Sequence, residues 1–418
     1  MLVGKIIKFY RVKNGLSQAM LCEGICSKSY FSRFESGKAT CSPEIIDIFS
    51  KRLGIDLSEI LESYSHIEKY LNDLNSAIIM QKTDHIDQIY DQLKNISFIS
   101  STKYAVRYLL LLARFYLFKK MLKQAKKTIE KIENEHIQLT DYEKNFLLHV
   151  KGIYFITIYR TTVIDDMKAA VRVLNQINND SYRNKEYYYH LALAYYFAGS
   201  NVLAYIYARK ALEYFNKTYN YVQAINAQSL LLFQADHDQD ISFEELIEKY
   251  HNLIRNCESV GAHLQKGILL NNLGVKYFKR GSYEVASKYF EQSLLLTENY
   301  TIYYLRRYYN YIEACLEGNL LRKAELLELI QLGSKLAEKR QSSIHCTLFK
   351  LLRLNCEGNK KGYYKFLSEV AIPQFKQTNN IPYYEQYGKK LYSYYIVHNL
   401  YEKAIELDME FKPASYIK

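Results

Sequence analysis

The sequence predicts an all-α protein in two parts, a small N-terminal domain and a long run of stacked helical hairpins. Three observations carry that reading. Only four prolines (Pro43, Pro373, Pro382 and Pro413) interrupt 418 residues, so helices can run long. In the first sixty or so residues, apolar side chains recur at helical spacing between cap and stop residues. After residue 100, a small residue followed three later by an aromatic returns about every forty residues, a period that belongs to helical solenoids.

Residues 2–13 carry Val3, Ile6, Ile7 and Tyr10 on one helical face and Lys5, Lys8, Arg11 and Lys13 opposite, where the cations can meet phosphate. Ser17 is placed to cap a helix over Gln18 to Glu23, and Gly24 to leave it with positive φ. Ser27 then caps a second helix through Phe34, which Gly37 ends. Leu21, Ile25, Phe31 and Phe34 are spaced to share one core. Lys28, Ser29, Ser32 and Arg33 are left on the outer face, a set of donors that fits a DNA major groove. Ser42 and Pro43 start the next helix, with Ile45, Ile46, Phe49 and Leu53 as its buried stripe, and Gly54 stops it. Asp56 or Ser58 caps a short helix through Glu62, and Ser65 to Met80 reads as a connecting helix without a flexible linker.

The runs LSQ, SKSYFSRFESGK and PEIIDIFSKRLGIDLSEIL resemble the five-helix DNA-binding domain of lambda-repressor or XRE-type regulators. The usual motif has one more residue between its two central helices. The tighter GICS here, Gly24 to Ser27, resembles the peptide-responsive quorum-sensing regulators, the RNPP family of PlcR, NprR and PrgX. That resemblance is specific over residues 1–65. It implies that Gln18 touches phosphate or base, that Lys38 contacts the backbone, and that Glu35 braces the recognition helix from within.

Composition limits the other classes. The net charge of +12 favours an anionic partner, and it is spread along the chain rather than held in one tail. Seven cysteines, an odd number without metal-type pairing, read as buried reduced thiols. The opening residues alternate charge with apolar side chains and so do not read as a secretory leader. No apolar run is long enough to span a bilayer, and a cytoplasmic location is expected. There is no G-x-x-x-x-G-K-[ST] loop, H-E-x-x-H or G-x-S-x-G motif, and His345 beside Cys346 lacks a partner at ligand spacing. No catalytic residue, metal or cofactor is expected.

In the second part, Ala113 and Tyr116, Gly152 and Phe155, Ala192 and Tyr195, and Gly274 and Tyr277 mark successive units, with weaker ones around Leu232, Ile312, Leu352 and Tyr392. About eight hairpins of some forty residues result. Residues 271–294 resemble the tetratricopeptide pattern through Gly274, Tyr277, Gly281, Tyr283, Ala286 and Phe290, with Ser293 where that pattern prefers alanine. The expected architecture is therefore a tetratricopeptide-like right-handed α-solenoid behind a lambda-repressor-like domain. The boundaries are 1–65 for the DNA-binding domain, 66–99 for connecting helices and 100–418 for the repeats. The 42 tyrosines, against no tryptophan, read mostly as packing, rings between helices and hydroxyls toward water.

The first helix of each hairpin should line a concave face. With Gly274 and Tyr277 packed inward, Asn271 and Phe278 lie on the open side, and the same offsets expose Arg107, Tyr189, Asn226, Arg306, Tyr309 and Arg353. Asparagine amides can clamp a peptide main chain, and arginine can fork onto its carboxylate. The family resemblance implies a short imported signalling peptide as ligand. It also implies a homodimer held by the solenoid, and double-stranded DNA with two half-sites as target. Two alternatives stay open: a scaffold that docks a signalling protein such as a phosphorelay component, and a stress-responsive regulator without a peptide. Operator, peptide and direction of control are not legible.

Overall fold

The computed structural model describes residues 2–135, 138–159, 166–234, 241–297, 302–378 and 380–411. Every regular element among them is helical, as expected. Two compact units divide the chain: Met1–Thr157 with Arg172–Asn184, and Ile158–Val171 with Lys185–Lys418.

The first unit opens with α1 (Leu2–Lys13), α2 (Gln18–Cys22), α3 (Lys28–Glu35) and α4 (Pro43–Leu53). Ile7, Leu21, Phe31, Phe34, Phe49 and Leu53 make its core, with Phe31 and Phe49 rings 4.8 Å apart. Ile25, Ile45 and Ile46 pack at its edge. The caps follow the sequence: Ser17 accepts from the Met20 N–H and Ser27 from the Tyr30 N–H, while Gly24 takes φ +70° between the two helices. Gly4 permits the close crossing of α1 on α3, since a Cβ there would stand 2.2 Å from the Phe34 carbonyl oxygen. Ser42 differs from expectation. It makes no side-chain cap bond; its hydroxyl instead helps hold the Glu44 carboxylate below the usual carboxylate range.

The expected stop at Glu62 is absent. Asp56 caps α5 (Leu57–Ile79), which runs unbroken for 23 residues through the segment read as a separate connector. Its apolar positions Ile67, Leu71, Leu74 and Ile78 are buried at i, i+4, i+7 and i+11, so one continuous stripe carries the helix past that point. Then come α6 (Thr83–Asn95), α7 (Ala105–Phe118), α8 (Leu122–Asn134), α9 (Asp141–Tyr159), α10 (Asp166–Leu174) and α11 (Asn179–Tyr182).

The second unit stacks hairpins α12 (Tyr187–Phe197) with α13 (Asn201–Lys217), α14 (Tyr221–Gln234) with α15 (Phe243–Ser259), and α16 (His263–Lys279) with α17 (Tyr283–Leu295). It continues with α18 (Ile302–Glu317) and α19 (Lys323–Lys339), then α20 (Ser343–Glu357), α21 (Lys360–Phe366) and α22 (Ile372–Gln377), and last α23 (Ile381–Val397) and α24 (Tyr401–Phe411). A π turn, Leu367–Ala371, joins α21 to α22. The α16–α17 pair shows why the repeat wants a small residue. A Cβ on Gly274 would stand 2.6 Å from the Phe290 ring. Ser293, fully buried, donates its hydroxyl to the Gly267 carbonyl at 2.6 Å, so the polar substitute for alanine is satisfied at the crossing.

Candidate DNA-reading helix and amide-lined helices

On α3 the buried side is Phe31, Phe34 and Glu35, and the solvent side is Lys28, Ser29, Ser32 and Arg33. Among the described residues Arg33 makes no ion pair, so its five donors face outward. Lys38 is exposed just past the helix, its backbone N–H bonded to the Arg33 carbonyl at 2.7 Å.

Glu35 is the brace that the resemblance implied. It is 3% exposed, accepts from Arg11 Nε at 2.6 Å and Nη2 at 3.1 Å, and from Gln18 Nε2 at 2.7 Å. Three helices are thus tied at one carboxylate. Two expectations change. Arg11 does not stand among the phosphate-facing cations of α1; it turns inward because a buried Glu35 needs a counter-charge. Gln18 is half-buried, with one amide N–H committed to Glu35, which fixes its side chain at the start of α2.

The seven residues read as a concave peptide face have unequal surroundings. Arg107 is in the first unit, on α7, and donates to Asn72 Oδ1 of α5 at 2.5 Å. The other six are in the second unit. Arg306 is exposed on α18, and Arg353 on α20 is exposed but paired with Glu357 at 2.7 Å. Tyr189 is half-buried, with its ring edge on Phe215.

Asn226 donates to Gln223 Oε1 at 2.8 Å on α14. Asn271 is not on an open side: it is 8% exposed, and Asn310 Nδ2 of α18 donates to its Oδ1 at 3.0 Å. Tyr309 is also misplaced by the offset rule, being 1% exposed between the rings of Phe349 and Tyr383. Its hydroxyl is bonded to that of Tyr387, and burial with the nearby Glu313 carboxylate keeps both phenols protonated. The reason is that α23 packs against this side of α18, which an offset copied from α16 cannot foresee. His345 of α20 lies near Arg306. Burial, then that cation, push its imidazole down to about 4.

A family model described as helix-turn-helix (HTH_3) matches residues 7–60, the segment that holds α2, the Gly24 turn and the outward-facing α3. Residues 7–60 are a helix-turn-helix domain. Along most of its length the chain is 20% identical to the transcriptional activator NprA of Geobacillus stearothermophilus, covering 92% of this chain and 96% of that one. The apo form of the quorum sensor NprR from B. thuringiensis superposes with a TM-score of 0.64 at 21% identity, over 82% of this chain and 97% of that one. NprR in complex with its cognate peptide NprX gives 0.63 at 22%, over 81% and 98%. The fold read from the sequence is thus matched in its two parts, the helix-turn-helix domain by the family model and the tetratricopeptide-like helical solenoid by the fold of these structures.

Sequence reading missed two contributions to the helix-turn-helix domain and two to the solenoid. Arg52 of α4 donates to the Leu21 and Glu23 carbonyls, each at 2.8 Å, and closes the C-terminus of α2 that no local cap satisfies. Arg11 was visible only as a charge. Gln223 sits one helical turn from Asn226. Asn310 stands 39 residues after Asn271, one repeat on, and that period was the signal that could have found it.

Proposed function

We propose that this chain is a cytoplasmic transcription regulator whose helix-turn-helix domain reads an operator and whose solenoid binds a short linear signalling peptide. The observation that carries the DNA half is the exposed α3 face of Lys28, Ser29, Ser32 and Arg33, backed by a core and by the Arg11–Glu35–Gln18 brace. Such a face offers bidentate and hydroxyl donors to base edges, with Lys38 and the α1 lysines on phosphate. Among the described residues no helix is long and apolar enough to cross a membrane, which agrees with this assignment. The division into residues 1–65, 66–99 and 100–418 is part of the same reading, with α5 running unbroken across its first boundary.

Support for the peptide half is the pattern of amides on α14, α16 and α18. Each pair, Gln223 with Asn226 and Asn271 with Asn310, uses one donor and one acceptor internally and keeps one N–H2 group and one carbonyl for a ligand. That is the complement of a peptide main chain. Arg306 is the exposed fork for a carboxylate, with Tyr189 and Arg353 as secondary contacts and Tyr309 as backing. NprR, similar over most of this chain, is known in complex with its cognate peptide. A homodimer held by the solenoid would present two helix-turn-helix domains to two half-sites.

The test begins with the protein purified from its own host. Mass spectrometry should find a co-purified short peptide, light scattering should give a dimer, and nuclease footprinting should show two protected half-sites upstream of a gene. Protected DNA without any peptide leaves the DNA half and removes the sensing half. No protected DNA removes the whole reading.

A further inference from the structure

A groove of about 1360 Å³ opens in the second unit between α13 and α15, over α14. Its α14 lining includes Gln228, which is two residues from Asn226 and so about 200° round the helix from it. The groove starts across α14 from Asn226 and ends at Gln234, which is eleven residues from Gln223 and so about 20° round and about 16 Å along the helix from that amide. Its wall is unusually apolar for a solvated helix: Val202 is 73% exposed, Tyr205 46% and Ile206 41%. Leu231, Leu232 and Leu253 supply the floor.

Two polar features point to what this surface takes. Gln234 lines the groove at 8% exposure, and among the described residues neither its amide nitrogen nor its oxygen has a hydrogen-bond partner. A carboxamide left bare on both atoms is costly, and a peptide group, which donates and accepts at once, satisfies both. Further amides, Asn201, Asn216, Asn252 and Asn256, stand round the rim. The second feature is charge. Glu213 is paired with Lys217, Lys249 with Glu245, and Lys210 lies over the Tyr188 and Tyr207 rings. Arg209 is exposed on the rim and makes no ion pair among the described residues.

We propose that this groove is a second polypeptide-binding site, which takes an extended segment of a partner protein bearing apolar side chains and a carboxylate for Arg209. From Asn201 to Asn216 the α13 wall is about 22 Å long, room for six or seven extended residues at about 3.3 Å each. The main chain runs along the amides, Gln234 engages one of its peptide groups, and alternate side chains enter the apolar floor. The site is independent of the concave-face reading.

The test uses the full chain and an immobilised array of end-blocked heptapeptides with leucine at alternate positions and aspartate, lysine or serine between. The aspartate members should bind at least about tenfold tighter than the lysine members, as close charge pairing at an interface allows. Ile206→Asp should abolish binding. Arg209→Glu should reverse the preference toward lysine. Gln234→Leu should weaken binding by about tenfold, while its melting temperature stays level or rises because an unpaired buried amide is gone. The proposal is overturned by an array without selection, by unchanged binding in Ile206→Asp, or by Ile206→Asp altering the oligomeric state, which would make a second copy of the chain the occupant.

Discussion

Replacing Glu35 by alanine should cripple DNA binding although Glu35 is buried beneath the exposed face of α3. The carboxylate side chain is 2% exposed and that of Arg11 10%, so the pair is held away from solvent. Removing one partner of a buried pair strands the other charge, at about 3–5 kcal/mol. Arg11 would keep only the Leu16 carbonyl, 2.7 Å from Nη1, and the half-buried Gln18 amide would turn to water. Against the roughly 5–15 kcal/mol that holds a domain folded, this loss is large. Hydrogen exchange read by mass spectrometry on residues 28–35 measures the opening of α3 directly. The opening constant should rise on the order of a hundredfold or more, since about 1.4 kcal/mol is tenfold. Arg11→Met combined with Glu35→Leu removes both charges and should return α3 to within about 1 kcal/mol of the unaltered chain. If Glu35→Ala leaves exchange unchanged, or if the double variant opens as readily as Glu35→Ala, the buried brace is not what positions the recognition helix.

Other expectations follow from the same geometry. Arg33→Ala should cost about 1–3 kcal/mol of specific DNA binding and relax preference at one base pair, with α3 exchange unchanged; fluorescence titration against matched and mismatched operators reads both. Asn271→Ala should lower stability as well as peptide affinity, each by about 1–3 kcal/mol, because the amide is buried against Asn310 rather than exposed; calorimetry with thermal melting separates the two, and a loss of affinity without any loss of stability would contradict the observed burial. The second unit should lose stability as pH falls. His345 titrates at about 4 when folded against 6.5 in its ordinary state, so between those values the unfolded chain takes up a proton that the folded chain refuses. Stability is full above about 6.5 and declines by up to about 3 kcal/mol on reaching 4; His345→Leu should flatten that part of a denaturation-versus-pH curve.

The features legible in the chain alone are local and periodic. Ser17, Ser27, Asp56 and Gly24 act within three residues of where they stand, so caps and the tight turn could be read directly, and with them the outward face of α3. The forty-residue repeat fixed the solenoid because each hairpin buries its face on the next, and the glycine and alanine positions that permit the crossing recur with it. Tertiary structure decided whatever depends on what lies across a gap. Arg11 looked like a surface cation until Glu35 met it, and Arg52 reaches back some thirty residues to close α2. The stripe Ile67 to Ile78 carried α5 through an expected stop. Tyr309 shares its repeat offset with no rule about α23, which comes 78 residues later to Tyr387 and covers it. Helical periodicity specifies which side of a helix is apolar; which neighbour covers that side, and whether an amide there meets another amide or a ligand, is settled only by the packing of distant segments.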